Sequence, residues 1–245
     1  MSGQSDILAE RTIGPARLLL GDCRAIMPGL KFEAIVSDPP YGIGYQHGGG
    51  GNGFRFTKRS CKICGDDVPF DPAHLLDGKF KHQIPIALMG AEHFRKRLPD
   101  GGTMFTWDKS CGMGASTSFA DSEIGWHNRK SARRIFRHFW MGAFRAGSGN
   151  QGKQNRRHVS EKPEELMCWM METARVGLGK IVLDPYMGSG TTGAACLRTG
   201  RKFIGIEIDP EHYQLACERL EKLWAAISAT DATDGTDKGA GKLKR

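Results

Sequence analysis

The chain has 245 residues, 39% of them hydrophobic, and a formal net charge of +8. This length suits one α/β domain with insertions and a proper core. No apolar run approaches the ~20 residues of a membrane span, and seven cysteines scattered through a chain without a signal peptide fit a reducing cytosol rather than a disulfide framework.

Residues 1–14 are polar and read as an arm. Arg17 to Leu20 is a predicted strand ending at Gly21-Asp22, residues 23–31 a helix or turn, and 33–37 a strand that delivers Asp38. In Asp38-Pro39-Pro40-Tyr41, two prolines fix φ, remove two backbone donors and push the residue before each towards an extended conformation. The Pro39 carbonyl is then free to accept a hydrogen bond. One side-chain acceptor, one backbone acceptor and one flat ring suit a planar group with an exocyclic amine, such as a nucleobase. Glycines at 42, 44, 48, 49, 50, 51 and 53 exclude a regular element by their entropy, so 42–64 reads as a mobile loop with basic residues in its second half. Cys61 and Cys64 form a C-x-x-C pair. Zinc would need two further ligands from His74, His82 or Cys111, none at a recognised spacing, so ordinary thiols and no metal are expected.

Residues 84–98 carry a helical pattern that Pro99-Asp100-Gly101-Gly102 stops, and 103–107 is a strand. Trp107-Asp108-Lys109 then lines a pocket, or Asp108 and Lys109 simply pair. Residues 110–160 read as irregular, with a strand near Ile135–Phe139. From Ile124 to Ser160 there is no acid, while Arg129, Lys130, Arg133, Arg134, Arg137, Arg145, Lys153, Arg156 and Arg157 fall in the window. A one-sign stretch attracts phosphate and gives salt-sensitive binding; the plainer reading is a solvated basic face. A helix over 163–176 follows, then a strand at 181–184, a helix over 191–199 and a strand at 203–207. Asp209-Pro210 caps a last helix to about 225, and the tail 226–245 reads as disordered.

Ile181 to Thr192 reads as a buried strand, a glycine turn and a helix start, with Thr191 or Thr192 as the cap. Glu207 ends the next strand about 20 residues on, the spacing at which a Rossmann-type unit offers a carboxylate to ribose hydroxyls. Strands ending in Asp22, Asp38, Asp184 and Glu207 would bring four acids to one edge of one parallel sheet.

These two clusters resemble the boxes of the amino-methylating DNA methyltransferases, the adenine-N6 and cytosine-N4 group. The second reads D-P-Y-M-G-S-G-T-T, with Tyr186 where the family has Phe. Leu19 to Cys23 resembles the family's G-D-C start, and Glu161 to Leu166 its K-P-x-x-L segment. The order, catalytic box first, resembles the permuted subgroup, with residues 119–126 similar to a region of short phage and prophage members. The resemblance spans most of residues 15–225.

It implies a Rossmann-like S-adenosylmethionine-dependent methyltransferase fold, a seven-stranded mostly parallel sheet flanked by helices. It implies catalysis by Asp38, Pro39, Pro40 and Tyr41, and cofactor contacts from Asp22, Lys162, Pro163, Asp184, Tyr186, Gly188, Ser189, Gly190, Thr191 and Glu207. The implied partner is double-stranded DNA, met by Arg129, Lys130, Arg133, Arg134, Arg137, Arg156 and Arg157, with residues 110–160 as a target-recognition insertion. A monomer or homodimer in the cytoplasm of a bacterial or phage-infected cell fits. The implied product is N6-methyladenine, since D-P-P-Y is the commoner adenine form; N4-methylcytosine and a non-catalytic DNA-binding protein on the same fold are the alternatives.

Overall fold

The computed structural model describes residues 6–44, 64–77, 84–112, 120–141, 144–145 and 162–234. The strands are β1 (Ala9–Ile13), β2 (Ala16–Leu20), β3 (Ala34–Ser37), β4 (Ile86–Leu88), β5 (Thr103–Asp108), β6 (Ser122–His127), β7 (Ile135–Arg137), β8 (Trp140–Met141), β9 (Phe144–Arg145), β10 (Ile181–Asp184) and β11 (Lys202–Glu207). The helices are α1 (Cys23–Ile26), α2 (Ala73–Leu76), α3 (Ala91–Phe94), α4 (Glu164–Thr173), α5 (Thr191–Arg198) and α6 (Pro210–Asp234).

Among the described residues nine strands form one sheet in the order β1-β2-β11-β10-β3-β4-β6-β5-β7, and β8 pairs with β9 apart from it. The expected seven strands are β2 to β5 of that order, six parallel and β6 reversed; two edge strands extend them. β1 folds back antiparallel on β2, and β7 runs parallel to β5 at the far edge. The strands β3, β4, β10 and β11 are short, apolar and almost wholly buried, as sheets covered on both faces require.

Side chains alternate across the sheet and fill two cores. Leu18, Val36, Ala87, Phe105 and Val182 meet residues of α4, α5 and α6 on one face. Leu19, Ile35, Ile86, Leu88 and Leu183 meet Ile26, Leu75 and Phe94 on the other. Each such Leu or Ile contributes about 1.5–3 kcal/mol when fully buried.

Four expectations are corrected. The polar arm contains β1, because Ile13 is buried in the first core while Glu10, Arg11 and Thr12 stay exposed. The predicted helix over 84–98 begins as β4, whose parallel pairing with β3 buries Ile86, Ala87 and Leu88 completely; only 91–94 is α-helical. The irregular stretch 110–160 contains β6, held between β4 and β5, so part of the expected insertion is central sheet. The last helix runs on to Asp234 instead of stopping near 225: the added stretch is rich in alanine, a strong helix former, and Ile227 packs on the core.

Candidate active site

Parallel strands put their functional loops at their carboxyl ends. Here β3 and β10 are hydrogen-bonded neighbours, with Leu183 level with Ile35. Asp38 and Asp184 therefore emerge side by side. The Ser37 hydroxyl donates to Asp184 Oδ1 at 2.6 Å, joining segments 147 positions apart. Thr192 Oγ1 donates to Asp184 Oδ2 at 2.6 Å, and the Tyr186 N–H to Oδ1 at 3.1 Å. Burial pushes the Asp184 carboxyl up to about 6, against the pull of these donors.

Around Asp38 the structure assembles a compact charged cluster. The Tyr41 hydroxyl donates to Asp38 Oδ1 at 2.6 Å. The Lys162 ammonium lies 3.2 Å from Asp38 Oδ2 and 3.1 Å from Glu123 Oε2. Lys109 pairs with Glu123 Oε1 at 3.0 Å. Burial pushes the Asp38 carboxyl up, partly offset by Lys162. Burial also works to raise Glu123, but Lys162 and Lys109 outweigh it and hold that carboxyl at about 2. Lys162 is driven upward by its two carboxylates, which overcome its burial.

Tyr41 has a prepared seat. Its ring stacks on His93 with centroids 4.9 Å apart, and the Lys162 ammonium lies 5.3 Å from its centroid. Gly90, at φ +68°, lets the ring come close: a Cβ there would stand 2.0 Å from Tyr41 Cε1. The chain after the box is pinned at its start, because Asp66 Oδ1 accepts the N–H groups of Gly42 and Ile43. Most of the glycine-rich segment, 45–63, lies outside the described residues.

The residues implied for a cofactor divide in two. Asp22 is exposed at the sheet edge, where its Oδ1 caps α1 through the Arg24 N–H. Glu207 accepts the Gly188 N–H at 2.9 Å on Oε2 and the Ile208 and Asp209 N–H groups on Oε1. Above Gly188 no described residue lies within 4 Å of where a Cβ would stand. Other side chains turn inward. Asp184 is tied to Ser37 and Thr192, and Thr191 and Ser189 are buried against Arg219, which donates to Thr191 Oγ1 at 3.0 Å. Lys162 is engaged with Asp38 and Glu123. Neither threonine caps α5: its N-cap is Gly190, with no side-chain bond. Pro163 is the N-cap residue of α4. Tyr186, the departure from the family's Phe, bonds His74 Nε2 through its hydroxyl at 2.8 Å and packs edge-on against Phe70. Asp209 does cap α6, accepting from Glu211 and His212.

Asp108 and Lys109 do not form the pair weighed above: Lys109 goes to Glu123, while Asp108 Oδ1 holds the turn at Ser110 and Cys111. The basic residues form a line along the β7 edge. Arg137 is level with Asp108 at the catalytic end and lies 3.5 Å from it. Arg134 and Arg133 lie further back, and Lys130 lies towards the Thr103 end, where the Arg129 carbonyl accepts from the Thr103 hydroxyl. β5 spans five steps of ~3.3 Å, so the line is roughly 17 Å long. An open cavity of about 330 Å³ at that remote end, lined by Arg95, Thr103, Trp126 and Arg133, is distant from the acids. Arg145 is described only in its backbone, and Arg156, Arg157, Lys153, Cys61 and His82 lie outside the described residues. Among the described residues no cluster of ligating side chains could hold a metal ion, and no helix is long and apolar enough to cross a membrane.

Motif reading missed Glu123, Lys109 as its partner, His93 and Gly90. Only the alternation of the Ser122–His127 strand hinted at the first, and its glycine weakened that signal: the Phe105 ring fills the space beside Gly125.

The sheet thus sets an acid followed by two prolines beside a glycine turn at the ends of neighbouring parallel strands. The family model for DNA methylase, of the N6/N4 class, matches residues 106–218. The chain is similar to the putative methylase YubD of Escherichia coli (strain K12), at 27% identity over 236 residues, 89% of this chain and 96% of that protein. It is 47% identical to the DNA adenine methyltransferase YhdJ of the same strain, but over 64 residues, 26% of this chain and 21% of that protein. The fold is similar to that of the PvuII cytosine-N4-specific DNA methyltransferase, with TM-score 0.53 and 13% identity over 90% of this chain and 96% of that one. It is also similar to M1.HpyAVI, with TM-score 0.51 and 24% identity over 84% and 98%. The family-model match and the likeness to these methylases support an amino-methylating DNA methyltransferase.

Proposed function

We propose that this protein methylates the exocyclic amine of a base flipped out of duplex DNA, with adenine N6 as the target atom. The observation that carries this reading is the Ser37–Asp184 hydrogen bond, which sets the proline box beside the glycine turn. The residues present fit the cofactor. Glu207 has lone-pair capacity for ribose hydroxyls beside its backbone donors, Asp22 is an exposed acceptor at the same edge, and no described residue lies within 4 Å of where a Gly188 Cβ would stand. When bound, S-adenosylmethionine supplies an electrophilic methyl group on a sulfonium.

The amine is a poor nucleophile because its lone pair is delocalised into the ring. Asp38 accepts one N–H and the Pro39 carbonyl the other, which draws the nitrogen out of the ring plane. Positive charge growing on that nitrogen is stabilised by fixed acceptors, an oxyanion hole with the sign reversed. Asp38 takes the proton as or after the new bond forms. Flipping costs a few kcal/mol, and the Tyr41 ring offsets part of it by stacking on the base. The exposed line Lys130, Arg133, Arg134 and Arg137 meets the phosphates, ending at the catalytic edge.

Sequencing DNA from an expressing host with modification-sensitive reads tests this. Methyl-adenine in one sequence context is the expected result. Methyl-cytosine at N4 would move the target atom, and unmodified DNA from a host that expresses the folded, soluble protein would overturn the reading.

A further inference from the structure

Glu123 reaches the site because β6 runs against its neighbours. The start of β6, not its end, therefore lies at the edge where Asp38 emerges. Two cations and two carboxylates then alternate in one chain: Lys109, Glu123, Lys162, Asp38. Their side chains are only 9–19% exposed. The Lys162 ammonium takes Asp38 Oδ2 and lies near the Tyr41 ring. Those are the acceptor and the aromatic surface that the proposed function gives to an incoming base. A buried cation pushed off Asp38 needs another carboxylate, because an unpaired buried charge is strongly unfavourable. Glu123 Oε2 is already at 3.1 Å.

We propose that Glu123 is a positioning residue that retains the Lys162 ammonium when the substrate amine displaces it from Asp38, so that Asp38 opens to the amine without stranding a cation. This rests on the role of Asp38 given under the proposed function. Lys109 keeps Glu123 anionic and fixed from its other side. With Glu123 neutral, Lys162 has Asp38 as its one carboxylate among the described residues and competes with the amine.

The test uses the full chain, with duplex DNA methylation and cofactor binding measured in parallel. Glu123→Gln should lower kcat about 10- to 100-fold, the worth of one hydrogen bond to a charged group, with cofactor affinity nearly unchanged. Glu123→Asp should recover part of the loss. The double variant Glu123→Gln with Lys162→Met should be faster than Glu123→Gln alone, since the competing ammonium is gone; a residue that merely props the fold would make the double variant no better. A full kcat in Glu123→Gln, or a double variant no faster than the single, overturns the inference while wild-type methylation stands. A silent wild type overturns the proposed function itself.

Discussion

The Ser37 hydroxyl donates to Asp184 Oδ1 across 2.6 Å, inside the sheet and shielded from solvent. This bond ties the end of β3 to the end of β10, so the carboxylate that would accept the amine and the turn that would face the cofactor keep one spacing. Ser37→Ala leaves Asp184 short of a donor at a buried site. The expected cost is about 1–3 kcal/mol, seen as a Tm lower by roughly 2–4 °C per kcal/mol, together with a reduced kcat. An unchanged Tm and kcat would show that the two boxes keep their spacing without it.

Asp184 also sets a pH dependence. Its carboxyl is pushed up to about 6, against ~3.9 for an unfolded aspartate. The folded state holds that proton more tightly, so this contribution to stability is fully present below about pH 4 and is lost as pH rises through about 6. Asp184→Asn removes it, and the hydroxyls of Ser37 and Thr192 can rotate to suit an amide. Denaturant unfolding of both proteins should show wild type gaining roughly 2–3 kcal/mol on the variant between pH 7 and pH 4. Parallel stability curves would contradict the shift.

Tyr41 does two separable things. Its hydroxyl fixes Asp38 Oδ1, and its ring offers a stacking surface beside His93. Tyr41→Phe keeps the ring and loses one hydrogen bond to a carboxylate, so kcat/KM should fall about 10- to 100-fold. Tyr41→Ala should lose a further ~5- to 100-fold, since base stacking is worth about 1–3 kcal/mol. Equal losses in the two variants would place the whole role in the hydroxyl.

The basic line along β7 allows two readings that salt separates. Charges on an edge strand also deter edge-to-edge pairing, and Ile135 there is exposed. Replacing Lys130, Arg133, Arg134 and Arg137 with alanine should flatten the plot of log affinity against log salt by about 0.9 for each phosphate no longer neutralised. A steeper tendency to aggregate with the slope unchanged would assign the line to edge protection.

Much of the site was legible because two of its segments are dense in residues with few structural uses. Prolines, glycines and acids at strand ends announce turns and ligands, and Asp38, Tyr41, Gly188 and Glu207 all stand out that way. What stayed hidden depends on strand pairing. β6 has a glycine and a charged residue and looks like a loop until β4 and β5 flank it, so Glu123 had no address. Likewise β1 and β4 are strands because of the partners beside them, and their own periodicity is too short to say so. The basic window was legible as charge, but its layout along one edge follows from the register of β7 on β5. The inward turn of Asp184, Ser189 and Thr191 needed the packing of α5 and α6, which no motif encodes.

The central claim is that Asp38 accepts the amine next to a separately held cofactor. Single-turnover methyl incorporation into duplex DNA by Asp38→Asn, with cofactor affinity measured on the same sample, tests it most directly. The expected rate is about 10²- to 10³-fold or more below wild type with cofactor binding nearly intact. A variant that methylates at close to the wild-type rate would contradict it.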